Sequence, residues 1–182
     1  MRAARRGRRV EVWFADEARF GQKGALTRVW AERGTRPTAP KQTAYGNLYV
    51  LTAVCPASGR AEGLVSPALN TGVVQTFLDQ LSATLPRRTH VVLVWDGAGY
   101  HSASRALAVP ANITAVTLPP YSPELNPVER LWLYLRQHYW SNRVYPDLDA
   151  VEDAAVDGWR AVCLRPERVR TICRCEYLTG GS

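Results

Sequence analysis

His90-Val91-Val92-Leu93-Val94-Trp95-Asp96-Gly97-Ala98-Gly99-Tyr100-His101 is the stretch whose reading decides the fold. Five apolar residues in a row, three of them β-branched, end in an aspartate, a glycine-flanked turn and a histidine. A run this short, bounded by turn residues, reads as a central strand buried on both faces. In open α/β sheets chemistry gathers outside the carboxyl ends of such strands, which is where Asp96 stands.

Working outward, Val10, Val12 and Phe14 alternate with Glu11, Trp13 and Ala15 and predict a strand over 10–16, with Asp16 closing it on the mostly apolar side. Leu48–Val54 and residues 61–66, separated by Pro56-Ala57-Ser58-Gly59, predict a hairpin. The spacing of Val73, Val74, Phe77, Leu78 and Leu81 predicts a helix over 71–85. A short helix near 102–109, a strand over 113–118 and an extended proline-rich linker at 119–123 follow. Residues 21–43 read as irregular, with one short strand near 26–31.

Asn126-Pro127-Val128-Glu129 is a helix start: asparagine as N-cap, proline first, glutamate three after the cap. Val128, Leu131, Trp132, Leu135 and Tyr139 keep one apolar face to about residue 140, and the Trp132, Tyr134, Tyr139 and Trp140 aromatics read mostly as core. Leu148, Val151, Ala155, Trp159 and Val162 describe a last long helix. The expected fold is α/β: one sheet flanked by helices.

The 182 residues suit one domain. We expect a basic flexible arm over 1–9, a core over 10–145 and a C-terminal helical extension over 146–182. The net charge of +7 invites a polyanion partner, but Arg2, Arg5, Arg6, Arg8 and Arg9 are five of the 23 basic residues, leaving 18 against 16 acids, or +2. Further basic patches run from Arg19 to Lys41 and through Arg160, Arg165, Arg168, Arg170 and Arg174. Arginine outnumbers lysine so far that two explanations stand side by side, a coding bias and arginine's bidentate fit to phosphate. The four cysteines lack zinc-type spacing and read as reduced thiols. No apolar run is long enough to span a membrane, so a soluble, intracellular chain is expected.

Three acids fall at predicted element ends: Asp16, Asp96 and Glu129. Singly, each has a plain structural explanation, as a solvated residue beside Glu17, a turn residue before Gly97, or the return half of a capping box. Together they match what hard divalent cations prefer as ligands. Two such ions about 3.5–4 Å apart can hold the attacking and leaving oxygens of a phosphoryl displacement.

Three blocks make a more specific likeness. Trp13-Phe-Ala-Asp16-Glu17-Ala-Arg-Phe20, Val94-Trp-Asp96-Gly-Ala-Gly-Tyr-His101 and Leu118-Pro-Pro-Tyr-Ser-Pro-Glu-Leu-Asn-Pro-Val-Glu129-Arg-Leu-Trp132 resemble the signature blocks of DDE-type transposases. The match is to the mariner-related bacterial insertion-sequence branch, whose catalytic domain is a DDE superfamily endonuclease. Trp30 to Pro37 and Asp157 to Cys175 resemble family stretches too, so the likeness runs from about residue 10 to 178.

The resemblance implies a ribonuclease-H-like fold with a mixed five-stranded sheet. It implies Asp16, Asp96 and Glu129 as the catalytic, metal-binding triad, holding two Mg²⁺ ions with Mn²⁺ as a substitute. Glu124 occupies an earlier acidic position of the third block and, with His101 and Asn126, is expected around the triad. Tyr121 and Ser122 fit either a DNA contact or a structural linker. The partner implied is DNA, both the terminal inverted repeats and the target, with contacts expected from Arg5, Arg6, Arg8, Arg9, Lys23 and Lys41. A homodimer is a further expectation. No helix-turn-helix module fits ahead of residue 10, so a companion subunit, an upstream reading-frame product or a truncated copy is expected to account for it. The implied location is the bacterial cytoplasm at the nucleoid. The competing expectations are a decayed copy that only binds DNA or a partner, and another ribonuclease-H-like nuclease.

Overall fold

The computed structural model describes residues 7, 9–23, 32–34, 45–96, 107–175 and 177. Five strands form one mixed sheet: β1 (Arg9–Gly21), β2 (Asn47–Cys55), β3 (Arg60–Ser66), β4 (Thr89–Trp95) and β5 (Ile113–Thr117), in the order β3-β2-β1-β4-β5. β1 runs antiparallel to β2 and parallel to β4, β2 is antiparallel to β3, and β4 is parallel to β5. β1 therefore occupies the middle, with β4 beside it. The apolar run of β4 is nonetheless covered on both faces, since Val91, Leu93 and Trp95 are buried on one and Val94 packs into the core of the other.

Strand alternation sends side chains to two separate cores. Trp13 and Ala15 of β1 face α1 (Thr71–Thr84), which buries Val74, Phe77, Leu78 and Leu81 and is capped by the Asn70 side chain accepting from Val73 N–H. Phe14, Ala18 and Phe20 face the other layer. That layer consists of α2 (Val128–Leu135), its continuation as a π-helical turn (Arg136–Trp140), α3 (Leu148–Cys163) and α4 (Pro166–Ile172). Val151, Ala155 and Val162 of α3 and Val169 of α4 share one apolar cluster with Phe14 and Leu131, so the C-terminal helices cover the sheet itself.

Several elements depart from the sequence reading. β1 continues five residues past Asp16, because residues 14–21 pair with β2 as far as the Gly21–Asn47 rung. Arg9, expected in a flexible arm, opens β1 and its Nε lies 3.0 Å from the buried Glu11 carboxylate. Residues 107–109 are not helical, and α4 is an element the periodicity did not reveal. The strand expected near 26–31 and most of the helix near 102–109 lie outside the described residues. Among the described residues no helix is long and apolar enough to cross a membrane.

Candidate functional site

The parallel pairing of β1 with β4 aligns Phe14 with Val94, and two residues further on in each chain stand Asp16 and Asp96. β4 ends at Trp95, whereas β1 carries on with β2 alone. Asp16 is therefore not a strand end. It lies in mid-strand at the level where the neighbouring strand stops. By alternation it projects to the same side as Phe14 and Ala18, towards α2.

The third carboxylate comes from the α2 start. Asn126 is buried and works in two directions: its Oδ1 accepts from Val128 N–H at 3.2 Å, and its Nδ2 donates to the Ala15 carbonyl at 3.1 Å. One side chain thus caps the helix and pins it to β1 next to Asp16. The capping box expected of Glu129 does not form, because the Asn126 backbone N–H donates to the Pro123 carbonyl at 2.9 Å instead. Glu129 is left exposed, and with Asp16, Asp96 and Asn126 it lines one cleft of about 270 Å³. The linker Leu118–Pro123 forms the rest of that lining, including fully exposed Tyr121, held at a positive φ of 57°. A non-glycine residue in that conformation is uncommon away from turns and sites.

Electrostatics mark the cleft as crowded with like charge. Burial pushes the Asp16 carboxyl up from 3.8 to about 7; the Glu129 and Asp96 carboxylates push the same way. Two donors oppose the shift, the Trp132 indole N–H, which donates to Asp16 Oδ2 at 2.9 Å, and the Glu17 backbone N–H. Glu17, which the sequence reading left as a solvated neighbour, is raised to about 8 by burial and then by Asp16, Asp96 and Glu129. It is a fourth carboxyl within electrostatic reach of the cleft, and its one sequence signal is adjacency to Asp16.

Hard oxygen ligands crowded together at like charge suit a divalent cation in donor type and in sign. The ligands are not pre-gathered: among the described residues no three His, Cys, Asp or Glu side chains already stand as a metal-holding group. Glu124 lines an adjoining groove with Asn126 and Glu129 rather than the carboxylate cleft. Lys23 lies over the Tyr45 ring, 5.1 Å from its centre, and lines a separate cavity with Arg19 and Asn47. His101, Arg5, Arg6, Arg8 and Lys41 lie outside the described residues.

Comparison with known proteins adds three findings. The family described as DDE superfamily endonuclease matches residues 11–152. An uncharacterised protein of Sinorhizobium fredii (strain NBRC 101917 / NGR234) is 38% identical over 124 residues, covering 68% of this chain and 91% of that protein. Among solved structures, the mariner Mos1 paired-end complex with Mg superposes with a TM-score of 0.65 at 18% identity, covering 90% of this chain and 51% of that one. The Mos1 strand transfer complex gives 0.62 at 19% identity, covering 90% and 50%. The fold is ribonuclease-H-like, and the chain spans about half the length of the Mos1 chains it matches.

Proposed function

The chain belongs to the DDE superfamily endonucleases, and from that premise we propose that it is a transposase catalytic domain that cuts DNA at the ends of its element and joins them to target DNA. The observation that carries the reading is that Asp16 on β1, Asp96 just past the end of β4 and Glu129 on α2 line one cleft. In this reading Asp16, Asp96 and Glu129 would together hold two Mg²⁺ or Mn²⁺ ions. When bound, such ions supply the charge neutralisation and hydroxyl activation that phosphoryl displacement requires.

The chain's own residues supply position. Trp132 fixes one oxygen of Asp16, Asn126 holds the Glu129 helix against β1, and the Leu118–Pro123 linker walls the cleft. Catalysis then rests on alignment and charge rather than on a covalent protein intermediate. The Mos1 structures the chain resembles are a strand transfer complex and a paired-end complex, which supports DNA as the partner here. Pairing of two ends by a homodimer, end recognition by a companion helix-turn-helix module, and a cytoplasmic, nucleoid-bound location belong to the same proposal.

The test is strand cleavage on the element's terminal repeats with Mg²⁺ or Mn²⁺. Wild type should cut, and Asp96→Ala should lose activity by at least about 100-fold, the scale expected when a metal-binding carboxylate is removed from such a site. Equal cutting by both proteins would sink the assignment.

A further inference from the structure

A second groove, of about 670 Å³, adjoins the carboxylate cleft and shares Pro123, Asn126 and Glu129 with it. Its other wall is the end of α4 and the segment that follows it, with Thr171, Arg174 and Tyr177 lining the groove together with Arg130. We propose that this groove holds the sugar-phosphate backbone of the DNA strand that enters the carboxylate cleft, with Arg174 as its phosphate ligand and Arg130 fixing the backbone that carries it. The inference rests on the reading of that cleft as a DNA-cutting site.

Three observations carry it. First, the wall is built rather than loose. The Tyr177 hydroxyl donates to the Leu125 carbonyl at 2.6 Å, an Arg130 Nη donates to the Arg174 carbonyl, and Cys173 and Cys175 on either side are buried. The backbone of Arg174 is thereby held against the same Pro123–Arg130 stretch that carries Glu129.

Second, three of the C-terminal arginines differ in their partners. Arg168 donates to the Tyr139 hydroxyl and the Ala161 carbonyl, and Arg170 donates to the Ser58 carbonyl. The Arg174 guanidinium makes no hydrogen bond or ion pair with the described residues, although Glu124 and Glu129 line the same groove. A guanidinium fork that lines a groove and has no acceptor among the described residues is suited to a phosphate.

Third, the charge is divided. The acids of the groove belong to the Pro123–Arg130 stretch, whereas Arg174 stands on the other wall and Arg130 reaches across to it. An anionic backbone is drawn to the arginine side, which leaves Glu129 to the cleft.

The test compares single substitutions that remove the same charge from neighbouring positions. A fluorescently labelled DNA duplex with a single-stranded 3′ extension is titrated with wild type, Arg174→Ala, Arg174→Lys and Arg170→Ala over about 50–200 mM salt. Arg174→Ala should weaken binding roughly 5- to 10-fold and lower the slope of log affinity against log salt by about 1, the loss of one phosphate contact. Arg174→Lys should keep the slope, and Arg170→Ala should leave both quantities near wild type.

Equal effects at positions 170 and 174, no effect at 174, or no salt-dependent binding by wild type would overturn the assignment. Cleavage by Asp96→Ala, run in parallel, separates the two claims. A dead Asp96→Ala beside a neutral Arg174→Ala sinks the groove alone. An active Asp96→Ala beside a reduced salt slope at 174 sinks the cutting site and leaves a DNA-binding groove.

Discussion

Asp16 is the residue at which the site's conflict concentrates. It is largely buried, faces two further carboxylates, and has the Trp132 indole and one backbone N–H to offset them. Because its carboxyl rises from 3.8 to about 7, the folded metal-free chain keeps a proton between those values that the unfolded chain has released. Stability from this group is full below about pH 4 and is lost as pH rises through 7, and Glu17 extends the loss to about 8. In chelator, Asp16→Asn should therefore stabilise the chain at pH 8 by on the order of 1–3 kcal/mol after allowance for solvent screening, and hardly at all at pH 4. Thermal unfolding at the two pH values measures this, and a larger gain at pH 4 would contradict it. The same Asp16→Asn substitution, neutral at every pH, should also abolish the cleavage assigned to the cleft.

At the scale of elements, two features assemble the site: the β1–β4 register and the docking of α2 on β1. The register levels Asp16 with Asp96 without any contact between them being required. Docking depends on Asn126, whose single side chain serves both a helix cap and the Ala15 carbonyl. Asn126→Ala should cost about 1–3 kcal/mol in urea unfolding, since a cap is lost and a buried carbonyl is left without its donor. Asn126→Asp keeps the cap oxygen and so should recover part of that stability while cleavage stays low, because the tie to β1 is still missing. Equal cleavage by Asn126→Ala and wild type would show that the tie does not position Glu129.

Legibility varied among elements for physical reasons. The β4 run is readable because a strand covered on both faces has no polar alternation to confuse it. The extension of β1 beyond Asp16 was hidden, since Glu17-Ala18-Arg19-Phe20 declares itself a strand only once β2 supplies the partner. α4 has 7 residues, too few for a helical period to emerge. Glu129 fitted two descriptions, cap and ligand, and the first fell away because the Asn126 N–H takes the Pro123 carbonyl instead.

For the whole molecule, the sheet is a partition between two cores, and the helical layer on the site's side is held by close approach as well as by apolar contact. A Cβ added at Gly63 on β3 would lie 2.6 Å from the Trp159 ring of α3, whose indole N–H donates to Thr52 Oγ1 at 2.9 Å. Gly63→Ala must displace that ring, and should cost about 1–3 kcal/mol, lowering Tm by several degrees. Because α3 and α4 carry the wall that ends at Arg174, the same variant should also become more sensitive to protease in its C-terminal segment. An unchanged Tm with unchanged proteolysis would rule out this role for the contact.

The sequence by itself determined most element types and the α/β class and singled out three carboxylates, because buried runs, caps and signature blocks are local patterns that survive without a partner. Tertiary structure decided what those patterns do together. Strand register levelled Asp16 with Asp96, one asparagine chose the helix position that frees Glu129, and the packing of α4 brought Arg174 to the neighbouring groove. Each of these depends on which atoms meet across the fold, and electrostatic repulsion at Asp16 exists only after burial and proximity have created it.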